Sequence, residues 1–145
     1  YVLKYLGDGI IAYFPEPNYI GMHDNAINCA MWIKYFILKG LNEIFLQKGL
    51  PSLNFRIGLD SGEAIILTVG SKPIKMHKDL IGQTINLATK IQSIAGANKI
   101  MAGETTIKNL HYTYRDDFTK IKLPNDWEYV KLNDNDRYCV YESKY

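Results

Sequence analysis

Two short stretches of the chain carry residue types at spacings that can do chemistry. The first is Lys4-Tyr5-Leu6-Gly7-Asp8, followed by Gly9. A carboxylate at the tip of a tight turn is well placed for a hard cation, because Mg²⁺ takes oxygen ligands and keeps several waters. Glycine on either side lets the backbone turn and lets a phosphate come close. Asp-Gly is also common in turns that bind nothing, so Asp8 alone reads first as a turn residue. The second stretch runs from Asp79 to Lys90. On a helix Asn86 and Lys90 share a face, with Gln83 beside them, while Ile85, Ala88, Ile91 and Ala95 lie on the other side. An amide and a cation on one stripe can bind a ribose and a phosphate. The same pattern also describes an ordinary solvated face.

The elements that must position these residues follow from local signals. Apolar runs at 1–6 and 10–14 flank Gly7-Asp8-Gly9 and predict a hairpin. Pro15 and Pro17 stop its second strand. Asp24 is a candidate N-cap for a helix reaching about Gln47, since Ala26, Ile27, Ala30, Ile33, Ile37, Leu41 and Ile44 form one apolar face. Gly49 and Pro51 end it. Residues 54–59 and 63–69 read as strands around Ser61-Gly62, and 70–78 as a basic loop. A second helix covers 82–94, a short strand 99–102 and a short helix 105–110. The segments 112–118, 128–132 and 137–142 alternate like strands joined by an Asn-Asp turn. Strands mixed with two packed helices predict an α+β sandwich.

Composition narrows the field. The 145 residues make one domain large enough for its own core, and 47% hydrophobic content argues against disorder. A net charge of +2 argues against nucleic acid or an anionic membrane surface as the main partner. Cys29 and Cys139 stand in apolar stretches without a CxxC spacing and read as buried free thiols. No run approaches the roughly 18 apolar residues of a membrane span, and no signal peptide is visible. The expected setting is cytoplasmic, with no direct membrane contact in this segment. The chain opens on Tyr1 inside a strand-like run, so residues 1–145 are expected to be a domain that lacks its first strand.

In their order and spacing these segments resemble the catalytic domain of the class III adenylate and guanylate cyclases. That family carries K-x-x-G-D on a strand and turn, then a long helix, then R-[IV]-G-[IL]-x-x-G, then D-x-x-G-x-x-V-N-x-A-x-R. Here the matches are Lys4 to Asp8, Arg56-Ile57-Gly58-Leu59-Asp60-Ser61-Gly62, and Asp79 to Lys90. Val69-Gly70-Ser71 and the run from Lys99 to Thr106 resemble further family segments.

The resemblance implies a ferredoxin-like α+β sandwich with a mostly antiparallel sheet. It implies two Mg²⁺ or Mn²⁺ ions, with Asp8 matching the second of two metal-binding Asp residues and the first expected upstream of Tyr1. Lys4 and Asp79 match the positions that select the base, and this pair implies adenine, hence ATP and a cyclic AMP product. Asn86 matches the asparagine that orients the ribose. Lys90 stands where the family has an arginine for the α-phosphate, which keeps the charge and loses the planar fork. Lys131 is nearest to the family's phosphate-binding lysine, although Leu132 replaces the glycine that follows it, and a strand-edge lysine is the equal alternative. The family's sites form between two subunits, which implies a homodimer with two equivalent sites. The alternative is a cyclase-like module that binds nucleotide or a partner without turnover.

Overall fold

Chain direction reverses at Gly7-Asp8, and this turn organises the first part of the molecule. A computed structural model describes residues 2–15, 19–70, 77–131 and 135–145. Strands β1 (Val2–Leu6) and β2 (Gly9–Ala12) pair antiparallel about that turn, as the Asp-Gly signal predicts. Gly7 adopts φ +61°, a left-handed conformation that suits glycine.

The long helix begins at Tyr19 rather than at Asp24. It comprises α1 (Tyr19–Phe36), a π-helical turn (Ile37–Leu41) and α2 (Asn42–Gln47). Asp24 does not cap it. The Asp24 carboxylate instead accepts a hydrogen bond from the His111 backbone N–H at 2.9 Å, a tertiary use that local sequence does not show.

Strands β3 (Arg56–Leu59), β6 (Lys99–Gly103), β8 (Val140–Ser143) and β7 (Phe118–Lys120) form one sheet in the order β3-β6-β8-β7. The β3–β6 pair is parallel and the other two pairs are antiparallel. The two strands flanking Ser61-Gly62 do not pair with each other. Strand β4 (Ile65–Val69) pairs instead with β5 (His77–Ile81), which occupies the end of the expected basic loop.

Helix α3 (Gln83–Ile94) covers one face of the larger sheet, and α1 with α4 (Glu104–Asn109) covers the other. The strand period of two decides which residues meet which helix. Met101 packs with Leu87, Ile91, Ala95, Trp127, Tyr138 and Val140 on the α3 side. Its neighbour Ala102 packs with Ile27, Ile107, Leu110 and Phe118 on the opposite side. The result is an α+β sandwich of the expected class.

Two strand expectations fail. Tyr112–Arg115 is a single helical turn, α5, closed by a Tyr114 N–H bond to the His111 carbonyl and by Arg115 donating to Leu110 and Lys108 carbonyls. Between 128 and 137 the described residues form a single isolated bridge, Val130 with Arg137, rather than a strand pair. Both cysteines are free and half-buried, less enclosed than expected. The expected stop at Pro17, Ser71, most of the basic loop, Leu132 and the Asn-Asp turn at 133–134 lie outside the described residues.

Candidate active site

The β1–β2 hairpin meets β5, and this contact joins Lys4 to Asp79 across 75 positions of sequence. Lys4 Nζ donates to Asp79 Oδ1 at 2.8 Å and to Oδ2 at 2.9 Å. The Leu80 backbone N–H donates to the same Oδ1 at 2.8 Å, which fixes the carboxylate plane. The two side chains remain 34% and 33% exposed. Ion pairs in that range are worth about 0–1 kcal/mol, so the pair contributes little to stability. It does set a cation and a carboxylate side by side in a fixed order.

Asn86 and Lys90 sit one turn apart on the exposed face of α3, directly after β5. Neither side chain hydrogen-bonds to a described residue. Leu87 and Ile91 bury the opposite face, and Ile85 and Ala88 are half-buried at its margins. Gly58 of β3 sets how close α3 can come. A Cβ built on Gly58 would overlap the Ala88 carbonyl oxygen and the Gln92 backbone nitrogen. The residue between Ile57 and Leu59 therefore has to be glycine for α3 to rest where it does.

Asp8 lies exposed on the turn that ends Lys4's own strand. Among the described residues no group of three or more His, Cys, Asp or Glu is arranged to hold a metal ion. A lone accessible carboxylate is nevertheless a suitable donor for Mg²⁺, which binds through one or two carboxylates together with substrate phosphates rather than in an all-protein cage. The described residues fit a cation shared with a ligand.

Lys131 stands apart. Its Nζ lies 3.5 Å from Asp136 Oδ2 and 3.9 Å from Glu104 Oε1. Glu104 is itself buried and accepts from Lys108 Nζ at 2.5 Å and from the Cys139 N–H at 3.1 Å. Burial works against its ionised form, yet these donors hold its carboxyl below the usual range. Lys131 thus belongs to an ion-pair cluster, and among the described residues no hydrogen bond or ion pair links it to the other expected site residues.

One network escaped the sequence reading. Tyr138 donates its hydroxyl proton to Asp60 Oδ1 at 2.5 Å and accepts from the Thr105 N–H at 2.9 Å. Burial pushes the Asp60 carboxyl up to about 6, against the Tyr138 and Ser61 hydrogen bonds that lower it. The only signal was an acidic residue at the end of an apolar strand.

The profile of the adenylate and guanylate cyclase catalytic domain family matches residues 3–131. The chain belongs to that family. Among curated cyclases, it is 32% identical over 122 residues to the cytidylate cyclase of Staphylococcus aureus, covering 81% of this chain and 28% of that protein. It is 29% identical over 116 residues to the adenylate cyclase of Anabaena cylindrica, covering 76% of this chain and 22% of the relative. The chain therefore spans less than a third of the length of either cyclase. The crystal structure of the adenylyl cyclase CyaB from P. aeruginosa superposes with TM-score 0.75 at 17% identity, over 98% of this chain and 70% of that one. The guanylate cyclase domain of RhGC from Catenaria anguillulae superposes with TM-score 0.72 at 23% identity, over 99% and 71%. At these identities the superpositions establish a shared cyclase fold.

Proposed function

We propose that the chain is the catalytic part of an adenylate cyclase, converting ATP into cyclic AMP and pyrophosphate at a homodimer interface. The relatives differ in the base named for them, so family membership leaves the base open. The observation that carries the ATP reading is the Lys4–Asp79 pair. An ammonium only donates and a carboxylate only accepts. Lys4 would donate to adenine N1, and Asp79 would accept from the 6-amino group.

In the proposed reaction the ribose 3′-oxygen attacks the α-phosphorus. The new O–P bond forms as the bond to the bridging oxygen breaks, and pyrophosphate leaves with that electron pair. The hydroxyl proton passes to solvent. Asn86 would hold the ribose by hydrogen bonds and so orient the attacking oxygen. Lys90, one turn along the same face, would meet the negative charge that grows on the α-phosphate. Lys131 would meet a terminal phosphate after exchanging its contacts with Asp136 and Glu104. Asp8 is the described residue that would hold a divalent cation, which when bound neutralises phosphate charge and acidifies the hydroxyl.

Exposed apolar side chains support the homodimer. Ile65, Leu67 and Val69 of β4 and Ile81 of β5, which pairs with Ile65, are exposed on one face of the ribbon whose second strand carries Asp79. Exposed apolar side chains grouped on one face suit an interface.

The test is the rate of cyclic AMP formation by the full-length protein with Mg²⁺ or Mn²⁺. ATP should be turned over faster than GTP, and Lys4→Ala should remove that preference. Equal rates with ATP and GTP in the parent would overturn the assignment of Lys4 and Asp79. Lys90, where a fork-shaped arginine is expected, favours a second reading as a nucleotide-binding module without turnover.

A further inference from the structure

Four cationic side chains wall one hollow beside β7, the edge strand farthest from β3 in the larger sheet. Lys120, Lys122, Lys131 and Arg137 line a space of about 450 Å³ that they share with one carboxylate, Asp136. That local balance of +3 exceeds the +2 of the whole chain. A concavity lined by one sign of charge between apolar walls focuses its field and concentrates anions. Ile121 and Leu123 supply such walls, half-buried against the core, while Lys120 and Lys122 alternate with them and stay exposed. None of these residues belongs to the β4–β5 face proposed for the homodimer, and of the four cations only Lys131 has a part in the reaction proposed above.

The frame of the hollow is fixed by hydrogen bonds. The Ile121 N–H donates to the Val140 carbonyl at 3.0 Å and the Tyr138 N–H to the Tyr129 carbonyl at 2.8 Å. The indole of the buried Trp127 donates to the Tyr138 carbonyl at 3.1 Å. The Lys131 N–H donates to the Asp136 carbonyl at 3.0 Å, and Val130 bridges to Arg137, so Lys131 and Arg137 enter from one turn. A backbone set before binding leaves only side-chain ends to be ordered. Those ends are weakly engaged. Among the described residues Lys122 makes no hydrogen bond or ion pair, and Lys120 has the Cys139 sulfur, a weak acceptor, beside it. Arg137 gives one N–H to the Asn125 carbonyl at 3.3 Å and keeps the rest of its fork. Lys131 meets Asp136 and Glu104 only at 3.5 and 3.9 Å, longer than the about 2.8 Å of a good charge-assisted bond. An anion that offers several charged oxygens within a small volume outcompetes such partners, and linked phosphate groups do so.

We propose that this hollow is a polyphosphate site, in which Lys120, Lys122 and Arg137 hold linked phosphate groups that Lys131 alone could not. It deepens the terminal-phosphate role proposed above for Lys131 and rests on that reading for this one residue. The phosphates arrive either as free pyrophosphate, the leaving group of the proposed reaction, or as the tail of a nucleoside triphosphate.

The experiment measures binding apart from turnover. Inorganic pyrophosphate, orthophosphate and α,β-methylene-ATP are titrated calorimetrically into the full-length protein without divalent metal, which keeps any cation held by Asp8 out of the measurement. Pyrophosphate should bind at least about tenfold more tightly than orthophosphate. Lys122→Glu reverses a charge on an exposed side chain and should weaken pyrophosphate by at least about tenfold, with the thermal midpoint of the parent. Should that variant unfold, Lys120→Gln, also on an exposed residue, takes its place. A parallel loss for the ATP analogue supports the site as the seat of a nucleotide's tail. A loss confined to pyrophosphate supports it as a site for the free anion. Pyrophosphate that binds the parent no better than orthophosphate, or binds the variant as tightly as the parent, would overturn the proposal. Weakening by Lys122→Glu but not by Lys131→Ala supports the hollow and strikes the phosphate role of Lys131 instead.

Discussion

Tyr138 donates its hydroxyl proton to Asp60 across 2.5 Å, tying the segment just before β8 to the residue that follows β3. The Thr105 N–H completes the link, so Asp60 is joined to the start of α4 as well.

The Asp60 carboxyl should make stability depend on pH. Burial raises it to about 6, above the unfolded value of about 4. A raised acid binds its proton more tightly when folded, so its contribution is fully present below the unfolded pKa and is lost as pH climbs through the folded one. The expected loss between pH 4 and pH 7 is on the order of 3 kcal/mol. Thermal unfolding of the parent at pH 5, 6 and 7 should show the midpoint falling across this window. Asp60→Asn should flatten that slope. An unchanged slope in the variant would move the effect to another group.

Gly58→Ala should displace α3. The added methyl would collide with the backbone of Ala88 and Gln92, which cannot swing aside as a flexible side chain would. Overpacking of this kind costs about 1–3 kcal/mol, or roughly 5 °C in a chain of this size. Turnover should fall by more than stability accounts for, because α3 carries Asn86 and Lys90. Calorimetry and rate measurements on the same preparation separate the two losses.

How much of this was legible beforehand depended on how local each signal was. The hairpin around Asp8, helix α3 and the Lys4 and Asp79 positions came from nearest-neighbour patterns and short motifs, and the structure brings Lys4 and Asp79 together. Asp24 looked like a cap because its true partner, the His111 N–H, lies 87 residues away. Residues 112–115 alternate like a strand, but carbonyl contacts from Arg115 close a helical turn there. The partner of β4 was hidden because the charged, exposed Lys78 makes the start of β5 resemble a basic loop. The Tyr138–Asp60 bond, 78 residues apart, had no local trace beyond an acid at a strand end.

Asp8→Asn should abolish cyclic product while the fold persists. Asp8 is exposed on a turn, so little packing depends on it. A divalent ion left with weaker oxygen donors should bind too poorly to neutralise the phosphates. Circular dichroism and thermal midpoint should match the parent. Turnover near the parent's with Mg²⁺ or Mn²⁺ would remove Asp8 from the metal site.

Lys90 should act as a partial substitute for an arginine. A point charge on a flexible stem forms one hydrogen bond where a guanidinium forms two. Losing one such bond costs on the order of 3 kcal/mol in the transition state, about a hundredfold in rate. Lys90→Ala should lower the turnover number further with a smaller change in KM, and Lys90→Arg should maintain or raise it. An alanine variant as active as the parent would exclude the role. A parent without product that Lys90→Arg does not restore would favour the non-catalytic reading.

The π-helical turn at Ile37–Leu41 is the trace of one residue more than a regular helix needs. Each residue advances an α-helix by about 100°. The extra one therefore rotates everything from Asn42 onward relative to α1, and Asn42 is aimed so that its side chain holds the Leu53 backbone through both N–H and C=O. Shortening the turn by one residue at Gly40 would restore an unbroken helical ladder and turn Asn42 away from that segment. Here length polymorphism, rather than substitution, would steer the path by which the chain enters β3.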